Sequence, residues 1–190
     1  MNVYETCPIL ENEKYLIRLI NVKDSKDLFE VYSDKFVLPF LNSDNCHGSN
    51  FYCSKQEYMD ETIKYWLMEY YETQGFVRFS IIDKKIKKAI GTIEIFHRDA
   101  KDYFTNCGLL RLDVARAYEK AECIQEILSL CIDSFYELFH CDMIATKAPL
   151  YAIERIEALK HLNFIYQTAP LIGHDDRKYY DYWKLSKKNE

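Results

Sequence analysis

The sequence predicts a single α/β domain of the α+β type, with a mixed, mostly antiparallel central sheet of about seven strands and helices on both faces. The 190 residues are enough for one domain with a sizeable core, so we assign residues 1–190 to one domain. Segments with the two-residue period of strands and segments with the helical period follow one another along the chain. A long helical segment separates two of the strands, and such a crossover favours a parallel return to the same sheet.

The first half of the chain contributes three strands and two helices. A capping box, with Ser54 at the N-cap and Glu57 three residues later, predicts the start of the second helix. A loop over residues 33–53, with several Asn and Ser residues, precedes that helix. The predicted elements are, in order, a strand Lys14–Val22, a helix Asp24–Val31, a helix Ser54–Tyr71, a strand Phe76–Ile82 and a strand Ala89–Arg98.

The second half is organised around a strand, a turn and a long helix. In the strand Thr105–Val114, apolar residues alternate with Arg111 and Asp113, and the helix then carries apolar residues at three- and four-residue steps to Leu138. The elements predicted after it are a strand Asp142–Lys147, a helix that Pro149 opens and that ends at His161, and a hairpin of Phe164–Leu171 and Tyr179–Ser186. We predict that strands 105–114 and 142–147 are parallel neighbours that diverge at their C-terminal ends.

Composition and charge argue against several classes of partner. The formal net charge is −5 and Lys and Arg form no block, which argues against nucleic acid or an anionic membrane surface as the main partner. No apolar run approaches the roughly 18 residues that span a bilayer. The first residues also lack the basic start and apolar core of a signal peptide, so we expect a cytoplasmic protein.

The cysteines favour the same compartment. There are seven, and an odd number without a CxxC motif is typical of free thiols in a reducing environment. Cys46, His47 and Cys53 lie near one another in sequence, but they lack zinc-site spacing and an evident fourth ligand. We therefore predict no metal site.

The turn 115–122 joins the strand to the long helix. Backbone N–H groups at a helix start have no partner within the helix, so such a turn is a natural seat for a phosphate group. This turn is where the sequence favours a cofactor.

The order of the elements resembles that of a known family, and four local stretches carry the resemblance. They are, in order, Tyr15–Leu19 (YLIRL), Ala89–Ile95 (AIGTIEI), Ser134–Phe139 (SFYELF) and Lys160–Phe164 (KHLNF). Together they resemble the GCN5-related N-acetyltransferases (GNAT family), and most of all the ribosomal-protein alanine acetyltransferase branch (RimJ/RimL-like). The resemblance covers nearly the whole chain.

This resemblance implies a cosubstrate and a reaction. Acetyl-CoA would lie where the parallel strands diverge, with its pantetheine arm against the backbone of Leu112 and Val114. The residues implied at its pyrophosphate are Tyr118, Glu119, Lys120, Ala121, Glu122 and Cys123. The acceptor would be a primary amine, of a small molecule or of a protein N-terminus, and the protein would be a monomer or a homodimer.

The turn departs from the family's pattern, which is Gln or Arg, two spacers, Gly, one spacer, and Gly or Ala. One register of the turn offers residues 118–123 and the other offers Arg116, Glu119 and Ala121, and neither contains glycine. Glycine lets the backbone approach phosphate oxygens without an intervening Cβ. Two interpretations of Glu119 and Glu122 stay open: charges of a solvated helix start, or parts of a weakened phosphate cradle.

Two residues are candidates for acid–base chemistry. Glu94, between two isoleucines of a central strand, is a candidate base, and the alternative is a salt-bridged strand residue. Tyr151 is a candidate proton donor, and the alternative is a packing role. His97 falls on the opposite face of the strand from Glu94. The function we predict is acetyl-CoA-dependent N-acetyl transfer to a primary amine, and the alternative is a degenerate member of the family that binds a ligand or partner without acetylating it.

Overall fold

An eight-stranded mixed sheet forms the centre of the protein, and a computed structural model describes residues 2–41, 44 and 51–187. The strand order is β1-β2-β3-β4-β5-β6-β10-β7, and β8 and β9 form a separate two-stranded sheet. Only β5 and β6 run parallel among the described strand pairs. The strands are β1 Leu10–Glu11, β2 Tyr15–Leu19, β3 Val77–Asp83, β4 Lys88–Arg98, β5 Cys107–Val114, β6 Met143–Lys147, β7 Ile165–Tyr166, β8 Leu171–Ile172, β9 Lys178–Tyr179 and β10 Tyr182–Ser186.

Helices cover both faces of the sheet. They are α1 Ser25–Tyr32, α2 Gln56–Met68, α3 Ala121–Leu138 and α4 Ile153–His161. The apolar side chains of β3, β4 and β5 pack with α3 and α4 in the larger core, where the rings of Phe79 and Phe135 are 5.5 Å apart. A second core lies under α1 and α2, around Leu28 and Met59.

The predicted pairing of the two parallel strands is confirmed. Residues Cys107 to Leu110 of β5 pair in parallel register with Met143 to Thr146 of β6. Beyond that point β5 continues to Val114 without a β6 partner, because the strands diverge. The divergence opens a cleft on the β6 side of Leu112 and the residues that follow it.

Several predicted element boundaries are wrong. The N-cap of α2 is Lys55 rather than Ser54 and makes no side-chain cap bond, and the side-chain amide of Gln56 donates a 2.7 Å hydrogen bond to Ser25 Oγ on α1. The last helix begins at Ile153 rather than at Pro149, since the backbone first closes a turn through a 2.8 Å bond from Ala152 N–H to the Pro149 carbonyl.

The final hairpin is also not a single unit. β7 pairs with β10 in the main sheet, whereas β8 pairs with β9 in the small sheet. Pro170 lies between β7 and β8 and has no N–H to donate, so one continuous strand from Phe164 to Leu171 would lose a bond there.

Two negative findings apply to the described part of the chain. None of its helices is long and apolar enough to cross a membrane. Within the same residues no group of His, Cys, Asp and Glu side chains is arranged to hold a metal ion, and Cys53 is a free, buried thiol. Cys46 and His47 lie outside the described residues.

Candidate functional site

The side of the sheet that faces α1 and α2 carries two rows of polar residues across its three central strands. The first row is Arg78, Glu94 and Arg111, which are cross-strand partners on β3, β4 and β5. The second row is Ser80, Thr92 and Asp113, one step further along the same strands. All six residues are buried. On an antiparallel sheet with one solvated face, such polar residues would instead face water.

Asp113 and Arg78 hold the two rows together. Tyr32 of α1 donates a 2.8 Å hydrogen bond to Asp113 Oδ2, and the Nε of Arg111 lies 2.9 Å from the same oxygen. The Nη1 of Arg78 donates to Thr92 Oγ1 at 3.0 Å, and its Nη2 donates to Glu94 Oε2. The guanidinium also stacks on the Trp66 ring, 4.1 Å from its centroid.

This environment fixes the charge of Asp113. Burial by itself raises the pKa of its carboxyl, but Arg111 and Arg78 outweigh burial and hold the pKa below its usual value. Burial raises the pKa of the Tyr32 phenol, so this residue is a neutral hydrogen-bond donor. Two guanidiniums and two carboxylates, those of Glu94 and Asp113, therefore form a cluster with no formal net charge.

A large cavity lies over this cluster. Its volume is about 1170 Å³, and Arg78, Glu94 and Arg111 form part of its floor. Aromatic side chains line it, namely Phe51, Tyr65, Trp66, Phe76 and Phe96. The carboxylates of Glu61 and Glu69, both from the region of α2, also reach its lining. Further charged residues line the cavity beyond its floor, namely Arg98, Asp99, Lys101, Asp102 and Asp176. A concave site that combines aromatic walls with convergent charged groups is a candidate small-molecule site.

The cleft between β5 and β6 has a different occupant. Arg155 of α4 extends into it, and its Nη1 donates a 2.7 Å hydrogen bond to the carbonyl oxygen of Leu112. Its Nε and Nη2 form a bidentate ion pair with Glu119, with 2.8 Å between Nη2 and Oε2. The side chains of Arg155 and Glu119 are only 5% and 8% exposed. We call these contacts the Arg155 clamp.

A second carboxylate closes the start of α3. The backbone N–H of Ala121 donates a 2.7 Å hydrogen bond to Glu154 Oε2, from the first turn of α4. Lys120 is the N-cap residue and makes no side-chain cap bond. A cavity of about 420 Å³ lies beside this helix start and is lined by Lys120, Glu122 and Glu154, among others. One of the N–H groups that the sequence-based prediction offers to a phosphate, that of Ala121, is thus bonded to the protein itself.

The other residues predicted for the cofactor serve the packing of this region. The side chains of Leu112 and Val114 point into the core under α3, so only their backbone borders the cleft. Tyr118 donates a 2.6 Å hydrogen bond to Asp83 Oδ2, and burial together with that carboxylate raises the pKa of its phenol. Cys123 is half-buried.

The two predicted acid–base residues lie apart. Glu94 reaches the cavity and is 7% exposed, with an ion pair to Arg78. Tyr151 is 60% exposed, donates to the carbonyl of Pro39, and is not among the residues that line either cavity.

Sequence reasoning missed several residues of the site. Alternation places Arg111 and Asp113 on one face of β5, but it does not show that a second layer of helices buries that face. The clamp was missed because Arg155 and Glu119 come from different helices and no local pattern joins them.

Comparison with known proteins agrees with the fold and leaves the chemistry open. No protein-family model and no curated protein sequence matches the chain. Among solved structures, it is similar to an acetyltransferase of the GNAT family from Bacillus anthracis, with a TM-score of 0.67, 12% identity, and 94% of this chain and 98% of that chain covered. It is similar to the ribosomal-protein-S5-alanine acetyltransferase from Vibrio fischeri, with a TM-score of 0.68, 16% identity, and 96% and 97% covered.

A third similar structure is the spermidine N-acetyltransferase from Vibrio cholerae in complex with CoA and spermine. Its TM-score is 0.63 at 12% identity, and 91% of this chain and 94% of that chain are covered. The chain therefore has the fold of the GNAT acetyltransferases, with ribosomal-protein acetyltransferases among its structural neighbours. Identities this low establish the fold and not the reaction.

Proposed function

We propose that this protein is an acetyl-CoA-dependent N-acetyltransferase whose acceptor is a primary amine bound in the cavity over Glu94. One observation carries the proposal: at two consecutive residues, β5 separates the cleft that Arg155 occupies from the lined cavity. Arg111 lines the cavity, and the carbonyl of the next residue, Leu112, faces the cleft. A donor in the cleft and an acceptor in the cavity would therefore approach each other across one strand, and positioning of this kind accounts for much of the rate of such transfers.

The acceptor side has the chemistry that an amine needs. Glu94 uses Oε2 for Arg78, and within the described residues its Oε1 has no hydrogen bond. A free carboxylate oxygen in a cavity with aromatic walls can bind an ammonium group and take up its proton. Two of the similar structures, a spermidine N-acetyltransferase and a ribosomal-protein-S5-alanine acetyltransferase, support an amine as the acceptor.

The donor side fits acetyl-CoA only after a rearrangement. As the residues stand, the Leu112 carbonyl is bonded to Arg155, and Glu119 and Glu154 put two carboxylates where phosphates would lie. Release of the Arg155 clamp frees that carbonyl and leaves a guanidinium beside Lys120 to hold phosphate oxygens. When bound, the cosubstrate would supply the activated acetyl thioester. We place this activity in the cytoplasm, in keeping with the free cysteines of the described chain.

The test is steady-state acetylation of a panel of primary amines with acetyl-CoA. Glu94→Gln should lower kcat/KM for the best acceptor by about a hundredfold, as expected for loss of a general base. Glu126→Gln is the matched control and should keep wild-type rates, because Glu126 pairs with exposed Lys14 and is not among the residues that line the cavity. Equal rates for the two variants would remove Glu94 from the mechanism.

The Arg155 clamp favours a second candidate, a ligand-binding protein that has kept the fold and does not transfer acetyl groups. Its buried ion pair already satisfies the Leu112 carbonyl without any cosubstrate. A thermal-shift titration with CoA separates the two candidates, since a ligand at one hundred times its Kd stabilises the folded state by about 2.7 kcal/mol. Stabilisation by CoA supports the transferase. Its absence at millimolar CoA, in a folded protein that binds an amine, supports the second candidate.

A further inference from the structure

The floor of the cavity contains two hydrogen-bonding groups that the protein does not use. Arg111 lines the cavity and is 8% exposed, and neither its Nη1 nor its fully buried Nη2 has an acceptor in the described part of the chain. The hydrogen bond this guanidinium makes there runs from Nε to Asp113, so the outer edge of the fork is unused. An unpaired buried guanidinium nitrogen is costly, and its usual partner is a carboxylate or another planar anion.

The second unused group is Glu94 Oε1, and it lies beside the first. Glu94 and Arg111 are directly opposed cross-strand partners on β4 and β5, so their side chains leave the sheet on the same face as immediate neighbours. They nevertheless form no ion pair with each other, because Arg78 holds one and Asp113 holds the other. An acceptor and a donor of opposite charge therefore stand next to each other at the cavity floor.

From this arrangement we infer that the cavity binds a free α-amino acid, with its carboxylate on Arg111 and its ammonium group on Glu94. An α-amino acid carries these two groups on one carbon atom, which matches two adjacent side chains. The inference rests on the proposed function only in taking this cavity as the acceptor site.

Charge balance points to the same class of ligand. The buried cluster of Arg78, Arg111, Glu94 and Asp113 has no formal net charge, and a zwitterion keeps it so. Among these four groups, a simple amine would leave one positive charge without a counter-charge, and a simple carboxylate would leave one negative charge. A polyamine or a protein N-terminus has no carboxylate beside its amine. Either one would therefore leave the outer edge of the Arg111 guanidinium without a partner.

The walls of the cavity indicate the side chain of that amino acid. Phe51, Tyr65, Phe76 and Phe96 surround the floor, and Phe51 also contacts Arg111, with 5.7 Å between the guanidinium carbon and the ring centroid. Aromatic walls favour an aromatic or large apolar side chain over a charged one. L-phenylalanine is therefore the probe with which to test the site.

The experiment is calorimetric titration of the full-length protein, without acetyl-CoA, against three compounds of matched shape. L-phenylalanine carries both charged groups, L-phenylalaninamide lacks the carboxylate, and 3-phenylpropionate lacks the ammonium group. We expect L-phenylalanine to bind at least about tenfold more tightly than either analogue, the effect of one charge-assisted hydrogen bond. Arg111→Lys should abolish the preference over the amide and keep the preference over 3-phenylpropionate, and Glu94→Gln should do the reverse.

Two results would overturn the inference. One is that the amide binds as tightly as the amino acid, which would mark the cavity as a site for simple amines. The other is that none of the three compounds binds at millimolar concentration. The wild-type series decides the matter even if Arg111→Lys does not fold. Because no acetyl-CoA is present, binding of L-phenylalanine together with a failed acetylation assay would refute the proposed reaction and leave this inference standing.

Discussion

Glu119→Gln should make the protein bind CoA more tightly, because it weakens the Arg155 clamp. The carboxylate of Glu119 accepts two hydrogen bonds from Arg155, and both side chains are almost fully buried. A glutamine at this position keeps one acceptor oxygen and replaces the other with an amide NH₂, which cannot accept. One charge-assisted bond is lost, and such bonds contribute about 1.5–3 kcal/mol each.

The size of the effect follows from the competition between the clamp and CoA. If the clamp must open before CoA binds, the free energy that holds it closed is subtracted from the favourable free energy of CoA binding. A clamp weaker by about 2 kcal/mol should raise the affinity for CoA by about thirtyfold. Loss of a negative charge near the phosphates acts in the same direction, so a control must separate the two effects.

Glu122→Gln is that control. Glu122 lies in the first turn of α3 and is exposed, and it makes no contact with Arg155. This variant removes the same charge from the same helix start while the clamp stays intact, and screening by water should keep its effect below about threefold. The assay is calorimetric titration with CoA, after a thermal melt has established that each variant is folded. Equal CoA affinities for the two variants, or a wild type already at submicromolar Kd, would refute a clamp that competes with CoA.

Two further predictions concern stability. Arg155→Met should lower the free energy of unfolding by about 3–5 kcal/mol, because Glu119 is left buried without its partner and the Leu112 carbonyl loses its donor. Urea unfolding measures this, and Lys14→Met, which breaks an exposed pair with Glu126, should cost at most about 1 kcal/mol. The other prediction concerns acid. The folded state lowers the pKa of Asp113. The charged carboxylate therefore contributes fully to the free energy of unfolding above about pH 4, and this contribution is lost as the pH falls further. The stability difference between wild type and Asp113→Asn should therefore stay constant from pH 6 to about pH 4 and shrink below about pH 4, and a difference that stays constant down to pH 3 would contradict this assignment.

Much of the fold could be predicted because it depends on periodicity. The alternation around Arg111 places apolar residues of β5 on the α3 side, and the long helix dictates a parallel return to β6. The errors arose where a tertiary contact or a single residue overrides the local pattern. The start of α2 has Lys55 as its N-cap, and there Gln56 bonds Ser25 of another helix. Pro170 divides what would otherwise be one strand.

The candidate site was harder to predict, because its properties depend on pairs that are distant in sequence. Glu94 was identified as a carboxylate between isoleucines, but its partner Arg78 lies on another strand and appears only when the register is known. For Glu119 the sequence left two interpretations open, a charge of a solvated helix start or part of a weakened phosphate cradle. Its role as the partner of Arg155 depends on the packing of α4 against α3, which no local period encodes.

The Arg155 clamp gives a physical reason why the turn can do without glycine. In the family that the chain resembles, a bound ligand would satisfy the backbone of the diverging strand and the start of the long helix. Here Arg155 donates to the Leu112 carbonyl, and Glu154 accepts from the Ala121 N–H, so both groups are satisfied by side chains of α4. Once these groups have partners, a glycine that lets phosphate approach the backbone is not needed at the turn. Glu119 at this position instead neutralises the buried guanidinium of Arg155. The cavity over Glu94 does not depend on this exchange, because its charged floor is built on the strands themselves. Ligand binding on that side is therefore expected whether or not the clamp ever opens to CoA.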